Sequence, residues 1–154
     1  MKIMPIFIPH AGCRHECLYC SQESTSAQNC VPDSVAIRRT ISEALTHGHL
    51  DEVAFYGGSF TALPMDEQKE LLGIIQPHLE RQEVGGIRIS TRPDCLSAEI
   101  VEMLAAFGVT TVEIGCQTFD ASVLRMSGRG HDISDAARAV SLLRREHFQV
   151  GLQL

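Results

Sequence analysis

The sequence predicts an α/β fold built on a parallel sheet, and three observations carry that prediction. Short apolar runs rich in β-branched residues alternate with longer stretches of helical spacing. The short runs are nearly continuous in apolar character, as strands of a parallel sheet are. Their spacing indicates repeated βαβ units, giving a sheet that is open or barrel-like.

The first run, Ile3–Pro9, resembles the core of a signal peptide only superficially. It is short, is broken by Pro5 and Pro9, and leads straight into a cysteine cluster, so it reads as a buried strand. A helix is expected over Ser34–Thr46, where Val35, Ile41 and Leu45 recur at helical intervals after Pro32-Asp33. Glu52–Tyr56 is the second strand. Met65–Glu80, following Pro64, sets Leu71, Leu72, Ile75 and Leu79 on one face. Gly86–Thr91 is the third strand. Ala98–Phe107 starts after Ser97, a natural N-cap, and Gly108 suits its end. Thr110–Gly115 is the fourth strand. Asp132–Glu146 carries Ala136, Val140 and Leu143 on one face, with Ser134 as one cap candidate, and Gln149–Leu154 is the fifth strand. Phe55, Tyr56 and Phe60 are candidates to wall off a bound ligand, and core packing explains Phe55 equally well.

Composition narrows the function classes. The chain has 154 residues, 44% hydrophobic and 21% charged, which suits one globular domain with a real core. No apolar run approaches the roughly 20 residues that span a bilayer, and the expected compartment is the cytoplasm. A net charge of −6 argues against this segment alone gripping a phosphate backbone.

Four of the six cysteines fall between positions 13 and 30, while Cys95 and Cys116 stand alone in apolar segments. A tight cluster in an α/β sequence is more often metal-binding than a disulfide framework. Cys13, Cys17 and Cys20 form a C-x3-C-x2-C pattern in the loop after the first strand. Three thiolates so close can hold three irons of a [4Fe–4S] cluster, leaving the fourth iron open for an outside ligand. Zinc is the alternative, with Cys30, His10 or His15 as a fourth ligand. Spacing alone favours iron–sulfur, because only one half of a paired zinc site is present. Cys95 and Cys116 read as small core residues.

Beyond the cysteines, five ordered segments carry a resemblance. The C-x3-C-x2-C loop with Tyr19 before its last cysteine is similar to the signature of the radical S-adenosylmethionine (SAM) superfamily. Ile8-Pro9-His10, Ala54–Thr61 with Gly57-Gly58-Ser59, Ser90–Asp94, Glu113–Thr118 and Ser127–His131 resemble its Elongator catalytic-subunit-like branch. That branch is related to the anaerobic coproporphyrinogen III oxidases.

The resemblance implies a partial TIM-like (βα) barrel, with about four and a half of six βα units present and the site at the C-terminal strand ends. It implies a [4Fe–4S] cluster on Cys13, Cys17 and Cys20, and SAM as the ligand of the open iron. Tyr19, Gly57, Gly58, Ser59, Gln117 and Arg129 become the cofactor-binding candidates. Gln117 resembles a position that contacts the SAM ribose, and Arg129 one that pairs with the SAM carboxylate. Ser90 stands where relatives often have glutamate, and Arg92-Pro93-Asp94 is expected to shape the substrate side. His131 reads as a capping or solvent-exposed residue.

The implied activity is reductive cleavage of SAM to methionine and a 5′-deoxyadenosyl radical, with an external one-electron donor. The branch points to tRNA as partner; the rivals are a porphyrinogen oxidase-like reaction and a non-catalytic zinc or iron–sulfur module. The domain expectation is residues 1–154 as the N-terminal part of a radical SAM core, incomplete at its C-terminus.

Overall fold

The expected strands pair in chain order. The computed structural model describes residues 1–8, 17, 18, 20 and 32–154. Its sheet comprises β1 (Ile3–Phe7), β2 (Glu52–Tyr56), β3 (Ile87–Thr91), β4 (Val109–Gly115) and β5 (Gln149–Gln153), all parallel, in the order β1-β2-β3-β4-β5. Helices α1 (Ser34–Leu45), α2 (Met65–Glu80), α3 (Ala98–Ala106), α4 (Ala121–Met126) and α5 (Ile133–Arg145) lie between them.

Caps set several helix starts. Asp33 accepts from the Ala36 N–H to open α1, and Ser97 accepts from Ile100 to open α3. At α5 the cap is Asp132, in a reciprocal capping box with Asp135, rather than Ser134. Helix α4 was not expected, nor were the single 3-10 turns Phe60–Ala62 and Pro93–Cys95.

Side chains alternate across each strand. Met4, Ile6, Val53, Phe55, Ile87, Ile89, Val112 and Ile114 enter one hydrophobic core with Ile37, Ile41, Leu72, Ile75, Leu104, Ala139 and Leu143 of the helices. Phe55 and Phe60 are both fully buried, their ring centroids 5.2 Å apart. Phe60 therefore packs in the core.

The opposite strand face departs from the expected apolar continuity. It carries Glu52, Arg88, Ser90, Thr111 and Glu113, which bind one another across three strands. Arg88 reaches Glu52 (Nε, 2.7 Å) and Glu113 (Nη1, 2.5 Å), and Thr111 donates to Glu52 (2.6 Å). Sequential strand order, with the connecting helices on a shared apolar face and a polar inner face, is the arrangement of an incomplete (βα) barrel. A doubly wound sheet would reverse its strand order.

Candidate active site

Barrels of this kind place chemistry at the C-terminal strand ends, where the loops emerge. At that edge the Ile8 N–H donates to the Tyr56 carbonyl (2.7 Å), continuing the β1–β2 pairing past the strands. Gly57 follows immediately with φ +107°, and a Cβ there would lie 2.9 Å from the Ile8 carbonyl oxygen. Glycine is thus required twice over, by backbone conformation and by space. Gly57 is exposed and Gly58 half-buried at the rim.

Ser59 turns the other way. It is buried, and its Oγ lies 3.0 Å from Thr91 Oγ1, which in turn lies 2.6 Å from Thr61 Oγ1. The same Oγ accepts the Arg92 N–H at 3.2 Å, while the Ser59 carbonyl accepts from Ala62. Its side chain is committed to joining the ends of β2 and β3.

Of the three expected cluster cysteines, Cys17 and Cys20 are described; Cys13 lies outside the described residues, as do Tyr19, His10, His15 and Cys30. Cys17 and Cys20 share a tight turn in which the Cys20 N–H donates to the Cys17 carbonyl (2.9 Å). Both are free thiols, Cys17 buried and Cys20 half-buried. The Leu18 N–H donates to the Ser127 carbonyl at 3.0 Å, which fastens this turn to the end of α4.

Arg129 arrives from the loop after α4. Its Nη2 donates to the Gly115 carbonyl (2.6 Å) and its Nη1 approaches Cys17 Sγ at 3.8 Å. A Cβ on Gly115 would sit 2.6 Å from that Nη2, so the last residue of β4 is bare where the guanidinium crosses it. Two residues on, Gln117 adopts φ +67° and donates its N–H to the Gln153 carbonyl (2.7 Å). A non-glycine residue held in the left-handed region is uncommon, and Gln82 and His147 share it at helix ends.

The structure therefore brings Cys17, Gly115 and Arg129 into contact, with Gln117 at the same strand end. Two soft, unpaired thiols on one turn beside a guanidinium suit an iron–sulfur cluster. Among the described residues no group of three or more His, Cys, Asp or Glu side chains is placed to hold a metal ion.

Two residues, His131 and Cys95, differ from expectation, and the burial of Arg92 was not anticipated. His131 is buried at 7% exposure, and burial, then the Arg129 and Arg92 charges, hold its pKa below the ordinary histidine value. Cys116 is buried in the core as expected, but Cys95 is only half-buried, and burial followed by the neighbouring Asp94 carboxylate pushes its thiol pKa up. Arg92 is 5% exposed and binds Asp94 in a fork, Nε to Oδ1 and Nη2 to Oδ2, both at 3.0 Å. Nothing local in the sequence marks an arginine as buried.

The sequence pattern of the radical SAM superfamily matches residues 7–153. The chain belongs to that superfamily. With membership come a [4Fe–4S] cluster and SAM as cofactors.

This radical SAM chain is 30% identical over 173 residues to a tRNA uridine(34) acetyltransferase of Dehalococcoides mccartyi, covering 90% of this chain and 38% of that protein. It is 28% identical over 155 residues to the heme chaperone HemW of Bacillus subtilis, covering 97% and 40% respectively. Among solved structures it superposes on the archaeal Elp3 of Methanocaldococcus infernus (TM-score 0.68, 20% identity, 97% of this chain, 37% of that one). It also superposes on coproporphyrinogen III oxidase (HemN) from Escherichia coli (TM-score 0.67, 18%, 98% and 37%). These structural likenesses share the radical SAM barrel fold. The chain spans about two fifths of the length of the two curated relatives.

Proposed function

We propose that residues 1–154 are part of the core of a radical SAM enzyme that cleaves SAM reductively to start hydrogen abstraction. The observation that carries this reading is the meeting of Cys17, Gly115 and Arg129 at the C-terminal strand edge of a radical SAM chain. Cys13, Cys17 and Cys20 are the proposed thiolate ligands. Three ligands leave one iron for SAM, and the bound cluster supplies the electron that breaks the sulfonium bond.

The chain's own residues bind and orient. Arg129 presents a planar fork suited to the SAM carboxylate. Gly57 and Gly58 let the backbone approach the methionyl amine, with Ser59 anchoring the strand end beneath them. Gln117, in its left-handed turn, takes the ribose, and Tyr19, just before Cys20 in sequence, is the remaining cofactor-binding residue. An external one-electron donor completes the cycle, and unpaired thiols with an oxygen-sensitive cluster suit the cytoplasm.

The tRNA uridine(34) acetyltransferase relative supports tRNA modification as the final task. A haem- or porphyrin-linked role is the second reading, favoured by the heme chaperone relative that covers 97% of the chain.

Anaerobic iron–sulfide reconstitution of the whole protein, followed by EPR with and without SAM, tests the reading. A [4Fe–4S] signal that shifts with SAM and is lost in Cys17→Ala is expected. Stoichiometric zinc with no cluster would overturn it. Stimulation of SAM turnover by tRNA, but not by porphyrins, would separate the two tasks.

A further inference from the structure

Strand register sets one row of residues across the inner face of the sheet, just inside its C-terminal edge. Phe7 pairs with Tyr56, while Glu113 pairs with Ser90 on one side and Gly151 on the other. Continuing the β2–β3 pairing one residue past Phe55 and Ile89 brings Tyr56 beside Ser90. The row faces away from the helices, because the alternating neighbours Ile6, Phe55, Ile89 and Ile114 enter the core. Below it Arg88, bonded to Glu52 and Glu113, closes the face. Two residues further along β4 is Gly115, which the Arg129 guanidinium crosses, so the row adjoins the proposed SAM site.

A barrel layer is normally filled by bulky side chains. This one is filled at one end only. Phe7, 58% exposed, and half-buried Tyr56 put two aromatic rings on β1 and β2, whereas β3 and β5 offer Ser90 and Gly151.

We propose that this row lines a substrate chamber for a neutral planar heterocycle stacked on Tyr56 and Phe7, with Tyr56 and Glu113 determining specificity. The inference rests on the reading of the chain as a radical SAM core and names the class of ring held beside SAM.

Three features select that class. Adjacent aromatic side chains stack flat rings of many kinds. Two carboxylates, Glu52 and Glu113, share the single Arg88 guanidinium, and that excess of negative charge opposes a ligand carboxylate but not a neutral ring. Ser90 Oγ donates its proton to Glu113 (3.3 Å), which leaves its lone pairs for an N–H on the ring edge. Burial, then the Glu113 charge, raises the Tyr56 pKa, so its hydroxyl stays a donor for a ring carbonyl. A nucleobase meets these terms, and a carboxylate-bearing porphyrinogen does not.

The test uses the whole protein loaded with cluster and SAM. Uridine is the neutral probe, and orotidine, the same ring bearing a carboxylate, is its counterpart; ligand-observed NMR reads binding. Uridine should bind with SAM in place, and orotidine about tenfold more weakly. Glu113→Gln should narrow that gap. Tyr56→Ala and Phe7→Ala should each weaken uridine about tenfold, and Tyr56→Leu, which keeps bulk without a ring to stack, should do the same. Cluster content shows that each variant is folded, and Arg39→Gln on α1 should change nothing. Displacement of uridine by SAM, equal affinity for orotidine, or full uridine affinity in the Tyr56 and Phe7 variants overturns the chamber, as does absence of uridine binding. The parent reading fails by a different signal: an unsubstituted protein that takes no cluster overturns radical chemistry, and its uridine binding still decides the chamber.

Discussion

Gly57 and Gly115 both stand where a methyl group has no room, but what blocks it differs. At Gly57 the obstacle is the Ile8 carbonyl, and the backbone is already at φ +107°. Gly57→Ala should lower unfolding stability by about 2 kcal/mol or more in urea titration, because neither obstacle can move cheaply. At Gly115 the obstacle is the end of the Arg129 side chain. Gly115→Ala should leave stability within about 1 kcal/mol of the parent, since a flexible side chain can give way. It should instead weaken SAM binding, read by equilibrium titration, because the guanidinium is pushed aside. Equal stability losses at both positions would contradict this contrast.

His131 makes a pH prediction at the same scale. The groups around it are Arg129, Arg92 and Asp94, with Asp132 and Asp135 lining the neighbouring cavity. Its folded pKa is depressed, so the unfolded chain binds its proton more readily. Its stabilising contribution is therefore full above the unfolded value, about 6.5, and declines as pH falls from there toward the folded value. Denaturant titrations between pH 7.5 and 5.5 should show that decline, and His131→Gln should flatten it. The residue read as capping or solvent-exposed because its burial depends on loop packing far from its neighbours in sequence.

Among the elements, the inner strand face holds the clearest energetic stake. Arg88 is clasped between Glu52 and Glu113, while Glu113 also accepts from Ser90 and from Gln153 of β5. Burial, then Glu113 and Arg88 in opposite senses, bear on Tyr56 beside them, whose pKa is raised. Arg88→Met should cost about 3 kcal/mol or more, because it leaves two partly buried carboxylates facing each other without a cation. Adding Glu113→Gln to that variant should restore part of the loss. Denaturant midpoints of the three proteins measure both effects. This network also specifies register, since a one-residue slip of any strand would carry its charges into the helix layer.

The strands and four longer helices were legible because continuous apolar runs and 3.6-residue spacing are local properties. The polar inner face was not. Strands such as Glu52–Tyr56 read as uniformly apolar, since one charged residue at a strand start looks like a boundary rather than a face. Helix α4 escaped because Ala121–Met126 is too short to display a period. For the site, the cysteine spacing and glycine pair stood out, whereas the Arg92 fork joins positions that only the fold brings together.

For the whole molecule, charge decides what the chain can do alone. No helix among the described residues is long and apolar enough to cross a membrane. The net charge of −6 opposes a polyanion. If tRNA is the substrate, residues 1–154 by themselves should bind it more weakly than about 10 μM at physiological salt, with a shallow salt dependence. Filter binding across a salt series would show this, and tight, steeply salt-dependent binding would contradict it.

The hydrogen bond from Leu18 to Ser127 has a consequence of its own. It joins the cysteine turn to the loop that carries Arg129, so ordering either segment favours the other. Such a connection is reciprocal by thermodynamic necessity: whatever factor the cluster contributes to SAM affinity, SAM returns to cluster retention. Exposed to a chelator, the protein should therefore surrender iron more slowly in saturating SAM. The second cofactor would then also be the keeper of the cluster.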